Sequence, residues 1–225
     1  MKSLLAEGIG TFVLVFIGTG AVALNTVTSG LGSVGVAIAF GIAVLLMVRA
    51  FGRLSGAHIN PAVTLGFRMT GAIGNRQALT YIVVQTAGAL AASLCLYYLF
   101  PAGTAIGVTA PSLPVAIAFI FELLITAGLM WVILVIVHYP VTNGWLAGLG
   151  IGGWVAAMAF LVGPLTGASM NPARSLGPAL VSGQMQMLWL YLVAPVIGAG
   201  VGVFFCRFSN TAGDCCRSRL ASPAL

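Results

Sequence analysis

Long apolar runs, broken by few polar residues, recur along the whole chain. Six of them reach the roughly 20 residues that a helix needs to cross the hydrocarbon core of a bilayer. They cover approximately residues 4–24, 33–52, 77–100, 114–137, 143–163 and 187–206. The runs do not alternate apolar with polar residues as the strands of a membrane barrel do. The pattern therefore predicts an all-α membrane protein with six transmembrane helices.

Two further apolar segments, at about residues 60–71 and 171–182, are too short to cross a membrane. Eleven helical residues rise only about 16 Å, roughly half of the hydrocarbon thickness. We interpret these segments as re-entrant half-helices, which a membrane tolerates where the backbone is buried in protein or lines a water-filled cavity. The alternative is a pair of amphipathic helices that lie in the membrane surface.

The composition excludes whole classes of protein. Charged residues make up 5% of the 225 residues and hydrophobic residues 60%, with a mean hydropathy of +1.12. Soluble domains carry about 25% charged residues, so this chain cannot form the surface of a soluble enzyme. Its nine Lys and Arg residues are too few to follow a phosphate backbone, and nucleic acid is not an expected partner.

Basic residues are concentrated on one side of the predicted membrane protein. The segments 25–32 and 101–113 carry no charge, whereas the opposite side holds Lys2, Arg49, Arg53, Arg68, Arg76, Arg207, Arg217 and Arg219. Because cytoplasmic loops are enriched in Lys and Arg, both termini are expected in the cytoplasm. The minimal loops are typical of a bacterial inner membrane protein. Arg174 alone departs from this pattern and indicates a functional role at membrane depth, with snorkelling to the outer headgroups as the alternative.

A short motif occurs once in each half of the chain. The first copy, Ser55–Val63, reads SGAHINPAV, and the second, Thr166–Arg174, reads TGASMNPAR. An acidic residue four positions before a threonine also recurs in the first span of each half, at Glu7 and at Glu122. Because each half holds three spans, the second copy must enter the membrane inverted. Inverted repeats place their solute site at the midplane, where the two halves meet.

Both motifs contain an Asn-Pro-Ala triplet that starts a helix. The triplets are Asn60, Pro61 and Ala62 in the first half and Asn171, Pro172 and Ala173 in the second. Asn is a favoured N-cap, and Pro is favoured at the first helical position because its missing N–H would be unpaired there. We therefore expect two helices that run outward from the membrane centre. Their N-termini face each other, and each carries about half a positive charge.

The paired triplets, Arg174 after the second one, and six spans with two half-helices resemble the aquaporin, or major intrinsic protein, family. The second motif and the residues after it resemble the nodulin-like branch and its bacterial relatives, whereas glycerol facilitators typically carry Asp at the position of Ser175. The resemblance implies one channel domain over residues 1–207, with repeat one at about 1–100 and repeat two at about 112–207. It also implies a homotetramer with one pore in each subunit. A disordered cytoplasmic tail is expected at 208–225.

The same resemblance places a selectivity filter at Phe40, Ala159, Ala168 and Arg174, with Phe160 as the alternative to Ala159. Water-selective members have His at the position of Ala159, so the resemblance implies a wider, less polar filter here. It indicates a passive channel for water and small uncharged solutes: glycerol, urea, or metalloid hydroxides such as arsenous, boric or silicic acid. Protons and ions would be excluded. Phe40 is larger than many residues at this position and is expected to keep the pore narrower. A strictly water-selective aquaporin is therefore the alternative. An ion-coupled secondary transporter is a more distant one.

Other polar residues leave further alternatives open. By resemblance, Glu7 and Glu122 accept hydrogen bonds from the re-entrant loops, although buried acids also mark the proton relays of transporters. His58 is interpreted as a loop-supporting or vestibule residue, since no second metal ligand stands near it in the sequence. No metal, cofactor or enzymatic activity is expected. His138 is a candidate for a pH-sensitive gate, and Cys95 is predicted to lie in the core.

Overall fold

The structure is a computed structural model that describes residues 1–138 and 143–209. Among these residues the regular secondary structure is helical, without β-strands. The helices are α1 (Lys2–Thr28), α2 (Gly32–Ser55), α3 (Pro61–Thr70), α4 (Asn75–Leu99), α5 (Val115–His138), α6 (Gly144–Leu161), α7 (Gly163–Thr166), α8 (Pro172–Ser182) and α9 (Leu188–Ser209). Helices α1, α2, α4, α5, α6 and α9 are long and apolar enough to cross a membrane. The six predicted spans are therefore confirmed, and the protein is an integral, multi-pass membrane protein.

The two half-helices, α3 and α8, are enclosed by long helices. They have 10 and 11 residues, and most of these residues are buried. Helix α3 packs against α4 of its own half and α9 of the other, and α8 packs against α9 of its own half and α4 of the other. This burial agrees with re-entrant half-helices, because an amphipathic helix in the membrane surface would leave one face uncovered.

Glycines allow the long helices to approach closely. A Cβ atom on Gly152 of α6 would overlap the carbonyl oxygen of Gly41 in α2, and a Cβ atom on Gly202 of α9 would lie 2.5 Å from the carbonyl oxygen of Ala127 in α5. Small residues at such crossings let backbones come into contact in lipid. They fix the positions of the helices that surround the two half-helices.

One predicted core residue lies elsewhere. Cys95 is exposed on the outer face of α4, so the prediction that it packs in the core is wrong. The inward face of this part of α4 is formed by Ala92, Ser93 and Leu96, which are buried, and the helical period directs the side chain of Cys95 away from them. The apolar environment inferred from its span is consistent with lipid as well as with protein. The predicted tail lies outside the described residues from position 210 onward.

Candidate solute pore

Each half-helix is preceded by a loop with an unusual backbone. In the first loop Gly56, Ala57 and Ile59 have φ values of 88°, 46° and 43°. In the second, the left-handed residues are Gly167, Ala168 and Met170, with φ values of 91°, 40° and 52°. A β-branched residue such as Ile59 rarely adopts positive φ. Such a conformation persists only where the surrounding structure holds it in place.

Glu7 holds the first loop from behind. Its carboxylate accepts hydrogen bonds from the backbone N–H groups of His58, at 2.9 Å, and Ile59, at 2.7 Å. It also accepts from the hydroxyl of Ser55, at 2.6 Å, and from the side-chain amide of Gln85, at 2.7 Å. The carboxylate is fully buried. Its four donors offset the cost of removing it from water.

Glu122 holds the second loop in the same way. It accepts hydrogen bonds from the backbone N–H groups of Ser169, at 2.9 Å, and Met170, at 3.0 Å, and from the hydroxyl of Thr166, at 2.7 Å. Neither Glu122 nor Glu7 lines the cavity described below. Acids that lie behind the loops and are occupied by loop donors fit a scaffolding role better than a proton relay along the pore.

Asn60 and Asn171 cap their own helices and bind the opposite loop. The side-chain oxygen of Asn60 accepts from the N–H of Ala62, and that of Asn171 accepts from Ala173 and Arg174. The Nδ2 atom of Asn60 donates to the carbonyl of Met170 at 2.7 Å, and that of Asn171 donates to the carbonyl of Ile59 at 3.0 Å. An Asn amide has two N–H donors, so each retains one that the described residues do not engage.

His58 and Ser169 occupy matching positions in the two loops and bind differently. The Nδ1 atom of His58 lies 3.2 Å from the Thr64 hydroxyl, and its ring stacks on Phe67 with the centroids 4.5 Å apart. The Ser169 hydroxyl lies 2.5 Å from that of Ser175, and Ser175 accepts a hydrogen bond from Thr109 at 2.9 Å. His58 therefore supports the loop, as the sequence interpretation proposed, while also bordering the cavity.

A cavity of about 300 Å³ runs past both loops. Because one water molecule needs only about 10–15 Å³ of such space, the cavity is large enough for several of them. Its polar lining includes Arg49, Arg53, Asn60, Asn143 and Asn171, and its apolar walls include Val44, Val63, Leu129, Ile133 and Val155. None of its lining residues, within the part of the chain that the structure describes, is acidic. The cavity thus combines a row of hydrogen-bond donors with apolar walls.

The four residues predicted for the filter all border this cavity. Phe40, Ala159, Ala168 and Arg174 are among its lining residues. Phe160 is not, and it is 45% exposed on the outer surface of α6. The structure thus brings together one aromatic ring, two methyl groups and one guanidinium. It places the alternative residue, Phe160, outside the cavity.

Arg174 is held by a segment between two spans. Its Nη1 atom donates to the carbonyl oxygen of Gly107 at 2.6 Å, and its guanidinium lies over the ring of Phe40, 5.1 Å from the centroid. The side chain is only 5% exposed, and its Nε atom has no hydrogen-bond partner among the described residues. A guanidinium has five N–H donors. The contacts with Gly107 and Phe40 therefore leave donors for a solute in the cavity.

Several residues that shape the site were not identified from the sequence. Tyr81 and Tyr191 donate to the carbonyls of Ser55 and Thr166, one in each half. The tyrosines stand at nearly the same distance after Asn60 and Asn171, and this spacing is a signal that could have revealed them. Gly107, Thr109 and Gln85 belong to no repeat, and the sequence offered no comparable signal for them.

The comparisons with known proteins agree with this geometry. Residues 1–206 match the family model described as "Major intrinsic protein". "Aquaporin NIP1-4" of Oryza sativa subsp. japonica is 41% identical over 215 residues, which cover 95% of this chain and 79% of that protein. "Aquaporin NIP6-1" of Arabidopsis thaliana is 36% identical over 202 residues, with coverage of 89% and 66%.

A solved structure supports the same assignment. The aquaglyceroporin from Plasmodium falciparum superposes with a TM-score of 0.82 at 28% sequence identity, over 91% of this chain and 94% of that one. The predicted aquaporin-like fold and the resemblance to the nodulin-like branch are thereby confirmed. With its two enclosed half-helices and a cavity between them, the chain belongs to the major intrinsic protein family, a family of channels rather than enzymes.

Proposed function

We propose that the protein is a passive channel for water and small uncharged solutes, with glycerol, urea and the hydroxides of arsenic, boron and silicon as the solute class. The observation that carries the proposal is the combination of residues that line the cavity: the Arg174 guanidinium over the Phe40 ring, together with the small side chains of Ala159 and Ala168. The names of the relatives, nodulin-like aquaporins and an aquaglyceroporin, point in the same direction.

The electrostatics of the cavity favour neutral solutes. The N-termini of α3 and α8 meet in the middle of the protein, and neither has an acid in its first turn. Each N-terminus contributes about half a positive charge, and Arg174 adds a full one. No acidic side chain among the described lining residues offsets them. A cation that gives up its hydration in this low-dielectric space meets repulsion from both sources.

The same donors interrupt proton transfer. Each of Asn60 and Asn171 retains one N–H, and both residues line the cavity. A water molecule whose oxygen accepts from both amides directs its two hydrogens away from them. It then cannot accept a proton from a neighbouring water. Water passes while the proton-conducting chain is broken at this point.

The width and polarity of the filter favour solutes larger than water. Ala159 and Ala168 contribute only methyl groups, so the wall that they form is apolar and leaves space. Arg174 supplies donors for hydroxyl oxygens. A polyol can therefore place its carbon atoms along the methyl groups and its oxygens toward the guanidinium. A strictly water-selective channel, the alternative, would need a bulkier or more polar residue at position 159.

We further propose that both termini lie in the cytoplasm and that the channel is a homotetramer. The distribution of Lys and Arg supports the orientation, because cytoplasmic loops are enriched in these residues. The tetramer follows from the family, and apolar side chains that are exposed on the long helices, such as Leu79, Ile120 and Leu149, suit lipid or a second copy equally. The bacterial inner membrane stays a prediction from the sequence alone, because the relatives named above come from plants and from Plasmodium falciparum.

Permeation through proteoliposomes tests the proposal. Stopped-flow light scattering would be recorded for water, glycerol, urea and arsenous acid, with the wild-type protein and with Ala159→His. The wild type is expected to conduct water and glycerol, and Ala159→His to lose most glycerol flux while it keeps water flux. Phe160→Ala, one position further and outside the cavity, is the matched control and should resemble the wild type.

Three results would contradict the proposal. Fast water flux with exclusion of both glycerol and arsenous acid would establish the strictly water-selective alternative. Solute uptake that depends on a proton or sodium gradient would establish a coupled transporter. Absence of any water flux from correctly inserted protein would exclude a channel altogether.

A further inference from the structure

The ring of Phe40 occupies a recess in helix α1 that exists because residue 18 is glycine. A Cβ atom built on Gly18 would lie 2.7 Å from Cζ of Phe40 and closer still to Cδ1 and Cε1. Non-bonded carbon atoms normally stay about 3.5–4.0 Å apart. The ring therefore fits against the bare backbone of α1 and takes the space that any side chain at position 18 would fill.

The other neighbours of Phe40 determine where its ring could move. The ring is 8% exposed and belongs to the main buried cluster, together with Leu14 and Val44. The Arg174 guanidinium lies over the ring, 5.1 Å from its centroid, and both residues border the cavity. Because protein interiors are close-packed, the open side available to a displaced ring is the cavity. Gly18 is not itself a lining residue.

We propose that Gly18 is a positioning residue for the selectivity filter: its missing side chain withdraws the Phe40 ring from the pore and so sets how large a solute can pass. A methyl group at position 18 would push the ring by about 1 Å or more to restore ordinary contact. The ring would then narrow the gap toward Ala159 and Arg174. The inference rests on the proposed channel function and adds to it a residue that controls width from behind the filter.

The second half of the chain provides a matched control. Gly128 of α5 faces the indole of Trp154 of α6, and a Cβ atom on Gly128 would lie 2.5 Å from Cη2 of Trp154. The steric conflict is of the same kind as at Gly18. Trp154, however, is not among the residues that line the cavity. Gly128→Ala therefore imposes a comparable packing cost without moving an aromatic ring of the filter.

The experiment measures the ratio of glycerol to water permeability in proteoliposomes. Gly18→Ala is expected to lower this ratio by about tenfold, which corresponds to about 1.36 kcal/mol in the barrier that glycerol meets at the filter. Gly128→Ala should leave the ratio of glycerol to water permeability within about twofold of the wild-type value. This margin allows for small packing changes at a distance from the filter. Phe40→Ala removes the ring, and the double variant Gly18→Ala/Phe40→Ala should match Phe40→Ala. This double-variant comparison separates an action through Phe40 from a general packing effect.

Defined outcomes overturn the inference. An unchanged ratio in Gly18→Ala would do so, and so would an equal fall in Gly128→Ala. A third such outcome is the same fall from Phe40→Ala to the double variant Gly18→Ala/Phe40→Ala. If Gly18→Ala alone yields no folded channel, the substitution is made in Phe40→Leu, where the smaller side chain reduces the overlap with the new methyl group but still occupies the recess. A fall in the ratio there supports the inference, and no fall contradicts it. A wild-type protein that conducts neither water nor glycerol would instead refute the channel function, so the two failures are distinguishable.

Discussion

The two re-entrant loops share a core of hydrogen bonds and differ in what surrounds it. In both, a buried acid accepts from two consecutive backbone N–H groups and one hydroxyl, a tyrosine donates to the start of the loop, and an Asn crosses to the opposite carbonyl. These contacts hold left-handed residues in place, including Ile59 and Met170. They are the part of the molecule that obeys the internal symmetry.

The two loops differ in the residue that follows each triplet and in their contacts with neighbouring segments. The position after the first triplet is Val63, whereas the second triplet is followed by Arg174. The first loop is additionally tied to α4 through Gln85, and the second to the segment before α5 through Thr109 and Ser175. On the proposed function, the repeated contacts would build the pore and the unrepeated residue Arg174 would influence which solutes it admits. Three experiments separate the two sets.

The largest effect is expected from Glu7→Ala and Glu122→Ala. Each substitution leaves three or four buried donors without an acceptor, at a cost of about 1–3 kcal/mol per donor. Both variants should fail to give a monodisperse protein in detergent, as measured by size-exclusion chromatography and thermal unfolding. Ser33→Ala, at an exposed position of α2, serves as the control. If one acid proved dispensable, the two loops would not share a scaffold.

A smaller, functional effect is expected from Arg174→Val, which gives the second loop the residue of the first. The change removes the positive charge beside Phe40 and the donor to Gly107. Proton conductance, followed with a pH-sensitive dye inside proteoliposomes, should rise by about tenfold, since a single desolvated charge contributes a barrier of one to several kcal/mol. Val63→Ala should leave it unchanged. No rise in Arg174→Val would assign proton exclusion to the two helix N-termini alone.

The smallest expected effect is a difference in stability between Glu7→Gln and Glu122→Gln. In Glu7→Gln the new NH₂ group would face the side chain of Gln85. The buried Oε1 atom of Gln85 has no partner among the described residues. After a rotation of the Gln85 amide, this oxygen would accept a hydrogen bond from the new NH₂ group. Glu122 has no such neighbour among its donors. Glu122→Gln should therefore lower the free energy of unfolding by about 1 kcal/mol more than Glu7→Gln does. The difference should disappear in a Gln85→Leu background. Equal losses in the original background would remove any special role of Gln85.

The repeated features could be predicted from the sequence because they leave a local signature. Apolar length predicted the six spans, and the Asn-Pro order predicted where α3 and α8 begin. The recurrence of Glu7 and Glu122 at similar positions in the two halves indicated that the two acids have equivalent roles. These inferences rely on covalent geometry, helix capping, internal repetition and the thickness of a bilayer, none of which depends on distant contacts.

The contributions of Gly107 and Gly18 escaped prediction because they depend on packing between distant residues. Gly107 lies in an uncharged segment whose composition gives no reason to bring a carbonyl to Arg174. Gly18 is one of thirty glycines, and the ring opposite it becomes visible only when α1 and α2 are placed together. Cys95 shows the converse error, since hydropathy cannot distinguish a lipid-facing position from a protein core.

The crossed asparagine amides also constrain how the protein can be made. Asn60 donates to the carbonyl of Met170, 110 residues later in the chain, and Asn171 donates back to Ile59. At the usual synthesis rate of about 5–20 residues per second, the first loop waits roughly 5–20 s for its partner to leave the ribosome. Until then the first loop lacks both the carbonyl that accepts from Asn60 and the amide that donates to Ile59. The centre of the pore can therefore be completed only after the second loop has been synthesised.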